Sequence, residues 1–230
     1  MATPWEDSVK NRNPKQLTIF VAPTLSKPWR HAFDDAVKTF NHLSRANRLG
    51  VTLAAPSNAT KPDPDGDGGA DVQFDTGSGD LSYTAFGQDF EIKNFSGTDM
   101  HGNTQLIFRQ PQRVRRAFVF VPETPMITAQ MRVGRDKFDG VQREAGHGIK
   151  HFIAAHEFIH VCGLDNSDHT IYGPDADLFI RQPQPFSGPF SRPDEDRFVL
   201  HIPTGSKPNV TSPPIFLKTA IADLIRDNWA

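Results

Sequence analysis

The fold is decided by residues 17–56, which read LTIFVAPTLSKPWRHAFDDAVKTFNHLSRANRLGVTLAAP. Their first apolar run ends at Pro23 and is typical of a buried strand. Over residues 28–49 the large apolar side chains recur at helical spacing, and Gly50 is suited to ending that helix. A short apolar run, residues 51–56, comes next. The stretch therefore predicts a β-α-β unit whose two strands run parallel.

Four later runs of apolar, β-rich residues predict further strands. They are residues 70–74, 90–92, 104–108 and 115–122. A basic cluster at the start of the last run, made of Arg113, Arg115 and Arg116, is most simply interpreted as an exposed strand edge.

Two later segments predict helices, from about residue 143 to residue 161 and from residue 215 to residue 229. The apolar face predicted for the last helix consists of Phe216, Ala220, Leu224 and Ile225. Between the two helices the chain is rich in proline, so we expect it to be mostly irregular. The sequence thus predicts an α+β fold: a twisted mixed β-sheet, a long N-terminal helix, a central helix, and a loop-rich C-terminal lobe that ends in a helix. We expect a single domain over residues 1–230, with an N-terminal lobe (1–163) and a C-terminal lobe (164–230).

Composition excludes several classes of protein. The chain has 230 residues, 25 basic and 27 acidic side chains and a formal charge of −2, which argues against a nucleic-acid partner. Its single Cys excludes an internal disulfide. No apolar run approaches the roughly 20 residues that span a bilayer, so no membrane partner is expected. The first 15 residues lack the apolar core of a signal peptide, so we expect a cytoplasmic protein or one exported without a conventional signal. No pattern indicates an oligomeric state.

The central helix carries His156-Glu157-Phe158-Ile159-His160, an H-E-x-x-H pattern. Residues four apart lie one above the other on a helix, so both imidazoles can reach one metal ion. Glu157 lies beside them and can take a proton from a water molecule on that metal. With nine His in 230 residues, chance produces the pattern in about one chain in a hundred.

The surroundings of the motif also favour a metal site. Residues 152–155 and 158–164 are apolar except for His160, which is typical of a buried helix. Burying a carboxylate and two imidazoles without partners is costly, and a Zn²⁺ ion would offset that cost. The alternative is a pair of core histidines bonded to the backbone, with Glu157 in a salt bridge.

Gly163 extends the pattern, because a glycine just past a helix end can adopt the left-handed conformation that turns the chain sharply. His156, Glu157, His160 and Gly163 match, position by position, the H-E-x-x-H-x-x-G-x-x-H pattern of the metzincin zinc metalloproteases. The sequence most resembles the matrixin-like branch, also in the flanking Ala155. The resemblance implies a metzincin-like fold with the central helix as active-site helix, Zn²⁺ as cofactor, and Glu157 as the catalytic base.

The third zinc ligand departs from the family pattern, because Asn166 occupies the position where the family has His or Asp. A neutral amide oxygen is a weak donor to zinc. We expect His169 to be the third ligand through a slightly longer loop, with Asp168 and Asp165 as carboxylate alternatives. Other zinc proteases take a downstream Glu, which in this chain would be Glu195.

The turn that lies beneath the metal in this family carries a Met, and this chain departs from that pattern as well. All four Met precede the motif. Residues 174–179 resemble the matrixin turn with Phe179 at the Met position, where an apolar floor needs bulk rather than sulfur.

An acidic loop is a candidate for a second metal. Asp63, Asp65 and Asp67 alternate as at the start of a calcium loop, but Phe74 stands where a bidentate Glu is needed. The simpler interpretation is a solvated acidic loop. Metzincin relatives often carry structural calcium, so Ca²⁺ is kept as a second candidate cofactor.

We therefore expect a zinc metallopeptidase that acts on a peptide or protein substrate, with Glu157 as general base. Residues 102–106 are expected to start an edge strand that pairs with an extended peptide. Two alternatives stay open: a zinc-stabilised binding protein without catalysis, and a zinc hydrolase of a non-peptide amide or ester. His147 and His151 lie off the metal-facing spacing and are expected at the surface or at the helix cap.

Overall fold

The computed structural model describes residues 2–97, 102–126, 144–165, 168, 178–180 and 215–230. Its helices are α1 (Asp7–Lys10), α2 (Lys27–Asn47), α3 (His147–Val161) and α4 (Thr219–Trp229). Its strands are β1 (Gln16–Val21), β2 (Thr52–Ala54), β3 (Val72–Gly77), β4 (Gly79–Ala85), β5 (Gln88–Phe95), β6 (Asn103–Gln110), β7 (Arg113–Pro122), β8 (Leu178–Ile180) and β9 (Ile215–Leu217). An α+β fold is thus confirmed.

The largest sheet has five strands in the order β2-β1-β3-β7-β6. β1 pairs in parallel with β2 and with β3, and β3 pairs in parallel with β7. The edge strand β6 is antiparallel to β7, which makes the sheet mixed. The β-α-β unit predicted from residues 17–56 is confirmed, because α2 connects the parallel pair β1 and β2. Long connections such as α2 are what parallel pairing requires.

Each face of this sheet is covered by a different layer. Side chains alternate along β7, so Ala117, Val119 and Val121 join the main core while Phe118 and Phe120 join a second apolar cluster. Helices α2, α3 and α4 contribute to the main core. The hairpin of β4 and β5 covers the other face through the second cluster. The fold is therefore a sheet with helices on one face and a hairpin on the other.

The loop between β2 and β3 is held by arginine side chains from β7. Arg116 is wholly buried and donates hydrogen bonds to the carbonyl oxygens of Gly66, Gly68 and Ala70. Arg115 is 3% exposed and donates from Nε to Asp67 at 2.9 Å. Burial lowers the pKa of Arg116 to about 10. The prediction that these two arginines form an exposed edge is wrong, because β7 lies inside the sheet and both side chains are buried against the loop.

The segments predicted as strands and helices match the structure with shifted boundaries. α2 ends at Asn47, before Gly50, because Arg48 itself adopts the left-handed conformation at φ 55°. α4 begins only at Thr219, since residues 215–217 form β9. Its predicted apolar face is confirmed for Ile225, which is fully buried, and wrong for two other members: Ala220 is exposed and Leu224 is 37% exposed. The buried side chains of α4 are Ile221, Ala222, Ile225, Asn228 and Trp229.

The sequence predicts a single short strand at residues 90–92, whereas the structure has a two-stranded hairpin, β4 and β5. Its outward positions are polar, so the apolar pattern of β4 is faint. Within the described residues, no helix is long and apolar enough to cross a membrane.

Candidate metal centre

The helix α3 is buried on almost every side. It packs against α2 and along β6 and β7. Phe158 is fully buried and its ring lies 5.9 Å from that of Phe33 and 6.2 Å from that of Phe40, both on α2. These edge-to-face contacts orient α3, because aromatic pairs favour that geometry. The buried helix predicted from the apolar sequence is thus confirmed, beginning at His147 and ending at Val161.

A sharp turn follows the end of α3. Gly163 has a φ of 99°, as expected for a glycine beyond a helix C-terminus. A side chain at Gly163 would also collide with the backbone of Thr3 and lie 2.6 Å from Nδ2 of Asn228. Glycine is therefore needed here both for the turn and for the close approach of two other segments.

The two motif histidines face each other on one side of α3. Their Nε2 atoms are 3.1 Å apart and their ring centroids 4.8 Å apart. His156 is 4% exposed and His160 is 7% exposed. The Nδ1 atom of His160 lies 2.9 Å from the carbonyl oxygen of Leu164, just beyond the helix. Since a carbonyl can only accept, Nδ1 carries the proton, and Nε2 of His160 faces Nε2 of His156 at hydrogen-bonding distance. This is the tautomer in which a histidine binds a metal ion through Nε2.

The spacing of the two Nε2 atoms fits a zinc ion. Tetrahedral zinc with bonds of about 2.0–2.1 Å to imidazole nitrogens places two such nitrogens about 3.3 Å apart. The observed 3.1 Å is close to that value. Within the described part of the chain, no group of three or more His, Cys, Asp or Glu side chains converges on one point.

Glu157 extends from α3 to the edge strand β6. It is 3% exposed, and its Oε2 accepts a hydrogen bond from Oγ1 of Thr104 at 2.7 Å. Burial raises the pKa of the Glu157 carboxyl to about 8, and the Thr104 hydrogen bond opposes that rise. Gly102, just before β6, lies against the same side chain: an added Cβ there would stand 2.6 Å from Cδ of Glu157. The position of this carboxylate is thus set by a strand that is remote in sequence.

The candidates for a third ligand are only partly described. Asp165 is exposed, and its backbone N donates to the carboxylate of Asp168 at 3.2 Å. The preferred candidate His169, with the alternatives Asn166 and Glu195, lies outside the described residues. All of these ligand assignments stay predictions.

Phe179, predicted at the position of the Met in the family's turn, belongs to the short strand β8 and pairs with Phe216 of β9. Strand β9 contacts α2, and its Leu217 packs against the main core. Whether Phe179 serves as the floor of a metal site stays a prediction.

The acidic loop that is the candidate calcium site has other partners. Asp67 accepts hydrogen bonds from Arg109 at 2.6 Å and from Arg115. Asp63 accepts from the backbone N of Asp65 at 3.0 Å. The calcium site therefore stays a prediction, on a loop whose carboxylates and carbonyls already meet arginines and backbone donors.

His147 and His151 differ in environment. His147 is exposed and its Nε2 lies 3.1 Å from Asp35, so the surface position predicted for it is confirmed. His151 is only 3% exposed, and its Nε2 lies 2.9 Å from Oγ1 of Thr39 on α2. The prediction that His151 is a surface or capping residue is wrong, because α3 buries this face against α2.

The sequence indicates only an edge strand for Gly102 and Thr104 and gives no sign of their contact with Glu157 at the candidate metal centre. No local pattern could pair them with Glu157, which lies 53 residues beyond Thr104.

The chain matches no protein-family profile and no curated protein.

Proposed function

We propose that this chain is a zinc-dependent metallopeptidase of the metzincin type, matrixin-like in its motif. The observation that carries the proposal is the pair of facing Nε2 atoms of His156 and His160, 3.1 Å apart on a buried helix that also carries Glu157. Zinc would be held by these two imidazoles and by His169, or by Asp165 or Asp168 in its place. The finer fold proposal, a metzincin-like arrangement of sheet and active-site helix, rests on the same motif.

Zinc, when bound, would supply a Lewis acid that polarises the substrate carbonyl and makes water a stronger acid. A cation held by the two imidazoles would favour the ionised form of Glu157 and oppose the rise in pKa that burial causes. The Glu157 carboxylate would then take a proton from the attacking water and pass it to the leaving amine. Thr104 holds one carboxylate oxygen of Glu157 by its hydrogen bond, which leaves the other oxygen for that transfer. Near-complete burial of Glu157 keeps bulk water from competing for the proton.

A peptide or protein substrate is favoured by the position of β6. This strand pairs only with β7 among the described strands, and it begins beside Glu157. An extended peptide added to its open edge would form backbone hydrogen bonds and pass close to the metal centre. A non-peptide ester or amide would not need such an edge.

The decisive variant is Glu157→Gln, which keeps the shape of the side chain and removes its basicity. We expect zinc at about one ion per chain in both proteins, with hydrolysis of denatured casein reduced about 100- to 10,000-fold in the variant. Glu144→Gln is the matched control, because Glu144 is exposed and pairs with Lys150 near the start of α3.

Metal content across ligand variants tests the zinc site separately. His156→Ala and His160→Ala should each lose most of the zinc, and His169→Ala should do so if it is the third ligand rather than Asp165 or Asp168. Zinc without any cleavage by the unaltered protein would favour a metal-stabilised binding protein. Cleavage of esters but not of casein would favour another zinc hydrolase, and full activity of Glu157→Gln would contradict the mechanism.

A further inference from the structure

The face of the sheet opposite α3 carries a cavity of about 220 Å³. We call it the hairpin cavity, because it lies between the sheet, the β4–β5 hairpin and the loop that precedes β3. The residues that line the cavity include Lys61, Pro62, Gln73, Tyr83, Phe118 and Phe120. Its walls are mostly apolar, with three aromatic rings, and its volume suits one small ligand rather than a peptide segment.

The cavity is built from anchored segments. The backbone N of Phe86, in the hairpin turn, donates to the carbonyl oxygen of Pro64 at 3.1 Å, which ties the loop to the hairpin. Arg116 holds the far part of the same loop through three carbonyl oxygens. The ring of Tyr83 lies 4.8 Å from that of Phe118 and 5.7 Å from that of Phe120. A ligand would therefore meet a backbone that is already in place, and only side chains would have to adjust to it.

Two polar atoms at this cavity are buried without a hydrogen-bond partner: Oε1 of Gln73 and Oη of Tyr83. Gln73 is 6% exposed, and its Nε2 donates to Asp75 at 3.2 Å. That bond fixes the amide, since the reversed amide would set Oε1 against a carboxylate. Gln73 projects to the cavity side because its neighbours Val72 and Phe74 on β3 project into the main core.

A buried polar atom left unpaired is costly, and phenylalanine and leucine would fill these positions without that cost. Oε1 of Gln73 is a hydrogen-bond acceptor, so a ligand that binds it must carry a donor. Burial raises the pKa of Tyr83, so its phenol stays protonated and can donate. Lys61 is exposed and adds a positive charge at the mouth.

We propose that the hairpin cavity is a second ligand site, which takes a small heteroaromatic carboxylate. Its flat ring lies among Tyr83, Phe118 and Phe120, and a ring N–H donates to Oε1 of Gln73. The carboxylate accepts from the phenol of Tyr83 and faces Lys61. This site is separated from the metal centre by the thickness of the sheet and does not depend on the proposed peptidase activity.

Calorimetric titration of the full chain with indole-3-acetate tests the proposal. We expect saturable binding to a single site, and about 5- to 10-fold weaker binding for Tyr83→Phe and for Gln73→Met, each of which removes one hydrogen bond. Ser82→Ala is the matched control on β4, since Ser82 is exposed. Naphthalene-1-acetate, which has a similar flat bicyclic ring without the N–H, should bind more weakly than the indole.

Thermal unfolding shows whether weaker binding by a variant reflects a lost contact with the ligand or a less stable fold. Tyr83→Phe should unfold at the same temperature as the unaltered protein or a higher one, because it removes an unpaired hydroxyl and keeps the ring. Glu157→Gln should bind the probe as the unaltered protein does. Absence of saturable binding, equal binding by Tyr83→Phe and Gln73→Met, or equal binding of the naphthalene probe would each overturn the proposal.

Discussion

The carboxylate of Glu157 is confined by two residues of another element. Thr104 donates to one oxygen, and Gly102 leaves the space that the side chain occupies. Gly102 does not need a left-handed backbone conformation, so its role is steric. A residue whose only contribution is the absence of a side chain is hard to recognise in a sequence, and Gly102 owes its importance entirely to where Glu157 lies.

Gly102→Ala should therefore disable the proposed active site without unfolding the protein. The new methyl group would collide with Cγ and Cδ of Glu157, at 2.8 and 2.6 Å, and push the carboxylate aside. A displacement of about 1 Å at a catalytic group costs about 100-fold in rate, so casein hydrolysis should fall by about that factor.

The matched control is Gly146→Ala at the start of α3, where an added Cβ meets nothing within 4 Å. It should retain most of the activity. Equal activity of Gly102→Ala and the unaltered protein would show that Glu157 does not act from this position.

At the scale of elements, the packing of α3 against α2 determines which histidines can titrate. His151 is buried at this interface beside Thr39, while Asp35 and His147 lie near it. Burial lowers the pKa of His151 from 6.5 to about 4, with Asp35 opposing and His147 adding to that shift. At a pH between about 4 and 6.5, the imidazole of His151 is therefore neutral in the folded protein and protonated in the unfolded chain.

Between pH 6.5 and about pH 4 the unfolded chain binds a proton at His151 that the folded protein does not, so acid lowers the free energy of unfolding in this range. His151→Gln cannot titrate. Urea unfolding at pH 7 and pH 5 should show a smaller loss of stability for this variant than for the unaltered protein.

His31→Gln is the control for that experiment, because His31 is exposed on α2. It should lose as much stability at pH 5 as the unaltered protein. An identical loss in all three proteins would mean that His151 is protonated in the folded state.

At the scale of the whole molecule, segments near both ends of the sequence meet at the C-terminal end of α3. Asn228 donates to the carbonyl oxygen of Cys162 at 2.8 Å, and Trp5 donates to that of Val161 at 2.7 Å. Trp229 lies 6.3 Å from Trp5, ring to ring, and is 1% exposed. These contacts satisfy carbonyls that a helix end leaves without internal partners. They also fix the turn at Gly163, and the residue proposed as third zinc ligand comes shortly after this turn in the sequence.

Trp229→Ala should destabilise the protein by about 3–5 kcal/mol, since it removes a buried indole and a hydrogen bond to Cys162. Zinc affinity should fall as well, because the turn after α3 loses a support. Leu224→Ala on the exposed side of α4 should change the stability by about 0.5 kcal/mol or less. Urea unfolding of both variants measures the stability, and zinc titration measures the affinity for zinc. Equal stability of the two variants would contradict the role given to Trp229.

Several features follow from the sequence because they depend on residues that are neighbours along the chain. The spacing of His156 and His160 places both imidazoles on one face of any helix, and the apolar residues around them indicate that the helix is buried. The β-α-β unit of residues 17–56 follows in the same way from periodicity.

The surroundings of the other functional and buried polar residues depend on the tertiary structure. It brought Gly102 and Thr104 to Glu157, turned Arg115 and Arg116 inward to the loop before β3, and buried His151. The physical reason is that these environments arise from contacts between residues tens of positions apart. A local pattern specifies which face of a helix or strand is apolar, whereas the partner on that face is selected by packing of the whole chain.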